Sequence, residues 1–223
     1  MAFWAGHGIE DHLAIVRPDV ASPAEVIADS AGFRPSSWSA DGQRLVGTRA
    51  YDIWVFVPNA TGPKFTPVVE TPARERWPAW SPDGRWLAYV SNVSGRNEVY
   101  VQPYAGPGAR ILVSTNGGHS PAWNPQRNAL FYVESQADPD SWRMMTVDMT
   151  APLKPGMPTP LFSFPSKSLP LAGCNPTNCY SVAPNGAGFF GIRMLPRTPS
   201  PITRINLIQN WFEELKAKVP VKQ

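Results

Sequence analysis

A tryptophan followed by a tight turn recurs along this chain at a nearly fixed interval. That interval restricts the fold more than any other feature. Trp38-Ser-Ala-Asp-Gly42, Trp80-Ser-Pro-Asp-Gly84 and Trp123-Asn-Pro-Gln-Arg127 stand 42 and 43 residues apart. A degenerate fourth copy, Val182-Ala-Pro-Asn-Gly186, follows 59 residues after Trp123, and the extra length holds the two cysteines. Seven residues after each anchor comes an apolar residue: Leu45, Leu87, Leu130 and Phe189. The register therefore survives where the turn residues do not.

Each copy reads as short strands. In Pro82-Asp-Gly84 the proline presets φ, Asp83 bonds its own backbone and Gly84 takes the left-handed position. Apolar runs flank the turn, Pro78 to Trp80 before it and Trp86 to Val90 after it, followed by Val99 to Val101 and Ile111 to Val113. A repeat of roughly 40–45 residues carrying four antiparallel strands is a β-propeller blade. The third strand recurs as Ile53 to Val57 and Met144 to Val147, and the fourth as Val68-Val69 and Leu161-Phe162. The N-terminus supplies three strands of an earlier blade: Ala2 to Trp4, Leu13 to Val16, and Val26-Ile27. The end supplies three strands of a later one: Tyr180 to Val182, Phe189 to Ile192, and Ile202 to Ile208.

The expected fold is thus all-β, a propeller of about five blades or partial blades in one domain, 1–223. The blades cover 1–30 (partial), 31–70, 71–114, 115–165 and 178–209 (partial). A short helix over 210–219 closes the chain. Asn210 caps it, with Glu213 three residues on. Trp211, Phe212, Leu215 and Val219 form its apolar face, and Pro220 ends it. This helix is expected to cover the last blade's open edge.

Composition agrees. Charged residues are 17% of the chain, and 26 prolines fall among nine Trp, ten Phe and six Tyr. So many aromatics exclude a disordered chain. The net charge of +3 is mild and no basic run tracks a phosphate backbone, so nucleic acid is not an expected partner. Residues 1–30 carry five acids against one Arg, and residues 193–223 six bases against two acids. No apolar run is long enough to span a bilayer, and the N-terminus lacks a signal-peptide pattern.

The chemistry-bearing residues fall inside the repeat. No Gly-x-Ser-x-Gly elbow is present, and Gly118-His-Ser-Pro121 aligns with the connector before a first strand. His7, His12 and His119 lack metal-ligand spacing, and no cofactor or metal is expected. Asp41, Gly42, Asp83 and Gly84 are turn residues, while Trp38, Trp80 and Trp123 are expected between blades as core. Cys174 and Cys179 form either a local disulfide or two free thiols; two ligands cannot close a zinc site.

Trp80-Ser-Pro-Asp-Gly-Arg-Trp-Leu-Ala-Tyr-Val-Ser-Asn92, followed by Asn97-Glu-Val-Tyr-Val101, closely resembles the WD40-like propeller repeat of the TolB type. The tail from Ile205 to Lys216 is similar to the end of propellers that follow bacterial serine/threonine kinase domains. The resemblance implies a non-catalytic, protein- or peptide-binding propeller. It also implies a periplasmic or other extracytoplasmic setting in a larger parent protein, of which this chain is a C-terminal piece; a cytoplasmic setting stays open. The departing turn at Asn124 to Asn128 puts the tight turn in doubt there. A different class is the accessory propeller of a prolyl-oligopeptidase-like peptidase whose catalytic domain lies elsewhere.

Four residues before each anchor stand Arg34, Arg76, His119 and Asn178. First strands of a propeller line its central channel, so these positions are expected near the channel mouth. There they would grip an acidic peptide or a carboxylate. The plainer expectation is that each solvates its own connector.

Overall fold

The computed structural model describes residues 2–5, 12–16, 23–62, 64–105, 108–150, 154–172, 174 and 178–193. They form an all-β fold of five antiparallel sheets. The first sheet holds β1 (Ala2–Ala5), β2 (His12–Ile15) and β3 (Glu25–Val26). The second runs β4 (Arg34–Trp38), β5 (Leu45–Arg49), β6 (Asp52–Phe56) and β7 (Phe65–Val69). The third runs β8 (Glu75–Trp80), β9 (Trp86–Ser91), β10 (Glu98–Pro103) and β11 (Ile111–Leu112). The fourth runs β12 (His119–Trp123), β13 (Ala129–Ser135) and β14 (Ser141–Thr150). β15 (Lys154–Pro155) pairs one end of β14, and β16 (Thr159–Pro165) pairs along it. The fifth holds β17 (Tyr180–Val182) and β18 (Phe189–Gly191).

Neighbouring sheets touch in chain order through β1, β4, β8, β12 and β17. Four apolar clusters lie between them. Trp80 of the third sheet packs with Val46, Ile53 and Val55 of the second. Trp123 of the fourth packs with Ala88, Val90 and Val99 of the third. Each tryptophan therefore wedges against the preceding sheet. Trp80 and Trp123 are buried, but Trp38 is only half-buried against Leu13, Ile27 and Phe56, because the described sheet in front of it has three strands.

The turn chemistry explains the register. Gly42 and Gly84 sit at φ 67° and donate to the carbonyls of Ser39 and Ser81, both at 2.9 Å. Asp41 Oδ1 accepts from the Ser39 hydroxyl at 2.5 Å and the Gln43 amide at 2.9 Å; Asp83 repeats this with Ser81 and Arg85. The sequence left the third turn in doubt. There Asn124 Oδ1 accepts from the amides of Gln126 and Arg127, and Asn124 N closes on Ala129 O at 2.9 Å, as Ser81 N closes on Trp86 O. One asparagine does the work of the Ser–Asp pair.

The expected strand over 202–208 and helix over 210–219 lie outside the described residues. Among the described residues no helix is long and apolar enough to cross a membrane.

Candidate functional site

The inner strands β4, β8 and β12 each carry a bulge near their start. Register slips between Pro35 and Ser37, between Arg76 and Ala79, and between His119 and Ala122. Trp77 and Ser120, each three residues before an anchor, take left-handed φ of 51°. Proline at position 35 cannot adopt that geometry. Such bulges re-aim side chains at strand ends, and here the affected ends are those that open on Arg34, Arg76 and His119.

The four residues expected at the mouth do not share one environment. Arg34 is exposed and Arg76 half-buried, and both line a cavity of about 490 Å³ between the second and third sheets, together with Arg49, Tyr51 and Glu75. His119 instead packs edge-on against Trp77, ring centroids 5.9 Å apart. Burial, then the nearby Arg76 charge, lowers its pKa, so the imidazole is neutral at pH 7. Asn178 donates from Nδ2 to Pro121 O at 2.9 Å and lines a second cavity of about 550 Å³. That cavity is walled by residues of four inner strands, among them Ser37, Ala79, Ala122 and Ser181.

The cavity beside Arg76 is rich in cations held against aromatics. The guanidinium carbons of Arg74 and Arg76 lie 5.0 and 5.5 Å from the Tyr51 ring centroid. Glu75 is fully buried, its Oε1 accepting from the Thr71 and Ser91 hydroxyls at 2.8 and 2.9 Å. The remaining chemistry is sparse. Among the described residues no three His, Cys, Asp or Glu side chains stand as a metal site. Ser120 Oγ makes no hydrogen bond, so the adjacent His119 does not serve it as a base in this geometry.

A loop held by the Cys174–Cys179 disulfide, Cα atoms 5.3 Å apart, stands between the fourth and fifth sheets. Trp77 Nε1 donates to Cys174 O at 2.5 Å, and Tyr180 OH donates to Ser120 O at 2.7 Å. The repeat position gave Arg34 and Arg76 but not Arg49, Tyr51 or Arg74. Those come from a neighbouring hairpin and connector that only packing brings close.

No family model matches the chain. Over 99 residues, 43% of its length, it is 29% identical to dipeptidyl aminopeptidase BIII of Pseudoxanthomonas mexicana, a stretch that spans 14% of that protein. Its fold matches putative TolB from Agrobacterium tumefaciens with a TM-score of 0.69 at 18% identity, covering 88% of this chain and 70% of that one. It matches TolB from Acinetobacter baumannii with a TM-score of 0.57 at 14% identity, covering 72% and 40%. The chain has the TolB-type β-propeller fold.

Proposed function

We propose that this chain is the propeller part of a non-catalytic, protein- or peptide-binding module, and that its partner enters at the end where Arg34, Arg76, His119 and Asn178 open the inner strands. The observation that carries the reading is the pairing of Arg34 and Arg76, equivalent positions of adjacent repeats, on one cavity. Donors converging on a concave surface bind carboxylates and carbonyls of an extended peptide. A disulfide in the loop fits an oxidising, extracytoplasmic compartment. The larger protein would be a bacterial sensor or scaffold of the receptor serine/threonine kinase kind.

The test is selection of a random-peptide library against the folded chain, followed by Arg34→Ala with Arg76→Ala. The expected result is a recovered peptide whose affinity falls by about tenfold or more in the double variant. Unchanged affinity in a folded double variant discards the mouth as the site.

The 29% identity to a dipeptidyl aminopeptidase favours a second reading, the accessory propeller of a peptidase whose catalytic domain lies elsewhere in the protein. The coding sequence on either side discriminates. A kinase domain with a membrane span supports the first reading, and a hydrolase domain supports the second.

A further inference from the structure

The hairpin joining β5 to β6 is a two-residue turn, Ala50 and Tyr51, between the paired Arg49 and Asp52. Both turn residues are left-handed, at φ 51° and 71°. Two-residue hairpins demand this conformation, and Asn-Gly or Asp-Gly meets it at least cost. The corresponding hairpins after β9 and β13 are longer, spanning 92–97 and 136–140. Here the short turn pulls the chain back, the cavity of about 490 Å³ opens beside it, and Tyr51 stands 50% exposed at the rim. Non-glycine residues held in sparsely populated backbone regions cluster at ligand clamps.

The electrostatics point the same way. Three arginines, Arg34, Arg49 and Arg76, line the cavity against one acid, Glu75. Among the described residues Arg49, Arg74 and Arg76 join no ion pair. Arg76 Nε is buried and donates to no acceptor. Buried donors of charged groups are ordinarily bonded.

We propose that this cavity is a carboxylate-binding site that takes the acidic side chain or free C-terminus of a peptide. Arg76 and Arg34 grip the carboxylate, Arg49 adds to the positive field, and Tyr51 packs on the adjoining peptide. The planar guanidinium fork matches a carboxylate. Glu75 on the wall favours a single negative charge over the double charge of phosphate. The proposal rests on the peptide-binding reading above and gives that reading its ligand chemistry.

Fluorescence anisotropy on the 223-residue chain tests it with three labelled hexapeptides. The first is amidated and carries a central Glu-Glu pair. The second is its Gln-Gln counterpart, and the third is unamidated with no acidic side chain. Binding of the first identifies a side-chain carboxylate, and binding of the third a terminal one. Affinity for whichever binds should fall about tenfold or more in Arg76→Gln, and the Gln-Gln peptide should bind about tenfold or more weaker than a bound Glu-Glu peptide. Arg127→Gln removes the same charge beyond the opposite end of an inner strand and should change affinity less than about twofold. Should Arg76→Gln fail to fold, Arg34→Gln takes its place. If the bound peptide is indifferent to the arginine variants, or if Glu-Glu and Gln-Gln peptides bind alike and the unamidated peptide does not bind, the proposal falls while peptide binding survives. If none of the three binds, this proposal falls; the broader reading falls only if the library selection is also empty.

Discussion

Trp80 shows how one side chain serves two sheets. It opens the turn of its own repeat and is buried against Val46, Ile53 and Val55 of the sheet before. Tyr104 meets its ring edge-on at 4.7 Å, and Arg44, reaching from the neighbouring turn, lies 5.2 Å from both rings. Trp80→Ala should cost about 3–5 kcal/mol in urea unfolding. Trp38→Ala, at the half-buried equivalent, should cost less than half of that, and equal losses would show that the wedge does not depend on the sheet it meets. The turn aspartates set an acid limit on the same contacts. The Ser39 hydroxyl, then the Gln43 amide and Arg44, bring the Asp41 carboxyl down from 3.8 to about 2. Burial opposes the shift of Asp83, but Ser81 and Arg85 outweigh it and lower it too. A carboxylate whose pKa is lower in the folded than the unfolded chain stabilises fully above the unfolded value. That contribution disappears as pH falls through the folded one. The thermal midpoint should therefore drop between about pH 4 and pH 2, and Asp41→Asn with Asp83→Asn should flatten that drop.

At the scale of the element, the strands were legible because each anchor fixes an apolar residue seven positions on, and β5, β9, β13 and β18 all contain it. The bulges were not. Nothing in a tryptophan or serine announces φ of 51°, and the bulge shows only in the register of β8 with β9 and of β12 with β13. A quieter periodicity lies in the hydroxyl residues. Ser30, Thr71 and Ser114 recur at intervals of 41 and 43 residues and staple the connectors. Ser30 Oγ accepts from Leu13 N and Ser114 Oγ from Val99 N, both at 2.8 Å, while Thr71 bonds Glu75. Ser and Thr are too common in loops for that spacing to stand out. Gly47 of β5 marks another constraint that one sequence hides. It pairs with Pro35 beside the bulge, and a Cβ there would overlap the Arg34 carbonyl oxygen and lie 2.6 Å from the Phe33 ring. Gly47→Ala should therefore cost about 1–3 kcal/mol by overpacking. An unfolding curve superimposable on that of the parent protein would show that β4 can shift to make room.

For the whole molecule, the question is what ties sheets that do not touch. Each sheet packs on its neighbours, and such arrays gain stability step by step along the chain. Trp77 departs from that rule. It belongs to the third sheet, yet its indole donates to Cys174 O in the segment leading to the fifth, past the fourth. Asn178 and Tyr180 fasten the same segment to Pro121 and Ser120 of β12. The disulfide keeps the segment compact, with Cys174 N donating to Cys179 Sγ at 3.0 Å. A loop this small removes little entropy from the unfolded chain, so the bond itself is worth roughly 2 kcal/mol. Its loss should also release the long-range tie at Trp77. Cys174→Ser with Cys179→Ser should lower the urea midpoint by at least the loop contribution and shift tryptophan emission to the red, because water then reaches the buried Trp77 indole in place of Cys174 O. Reductant should do the same to the parent protein and nothing to the variant. A fall in midpoint without any change in emission would show that Trp77 and the loop are held independently, and the sheets would then be joined through nearest neighbours alone.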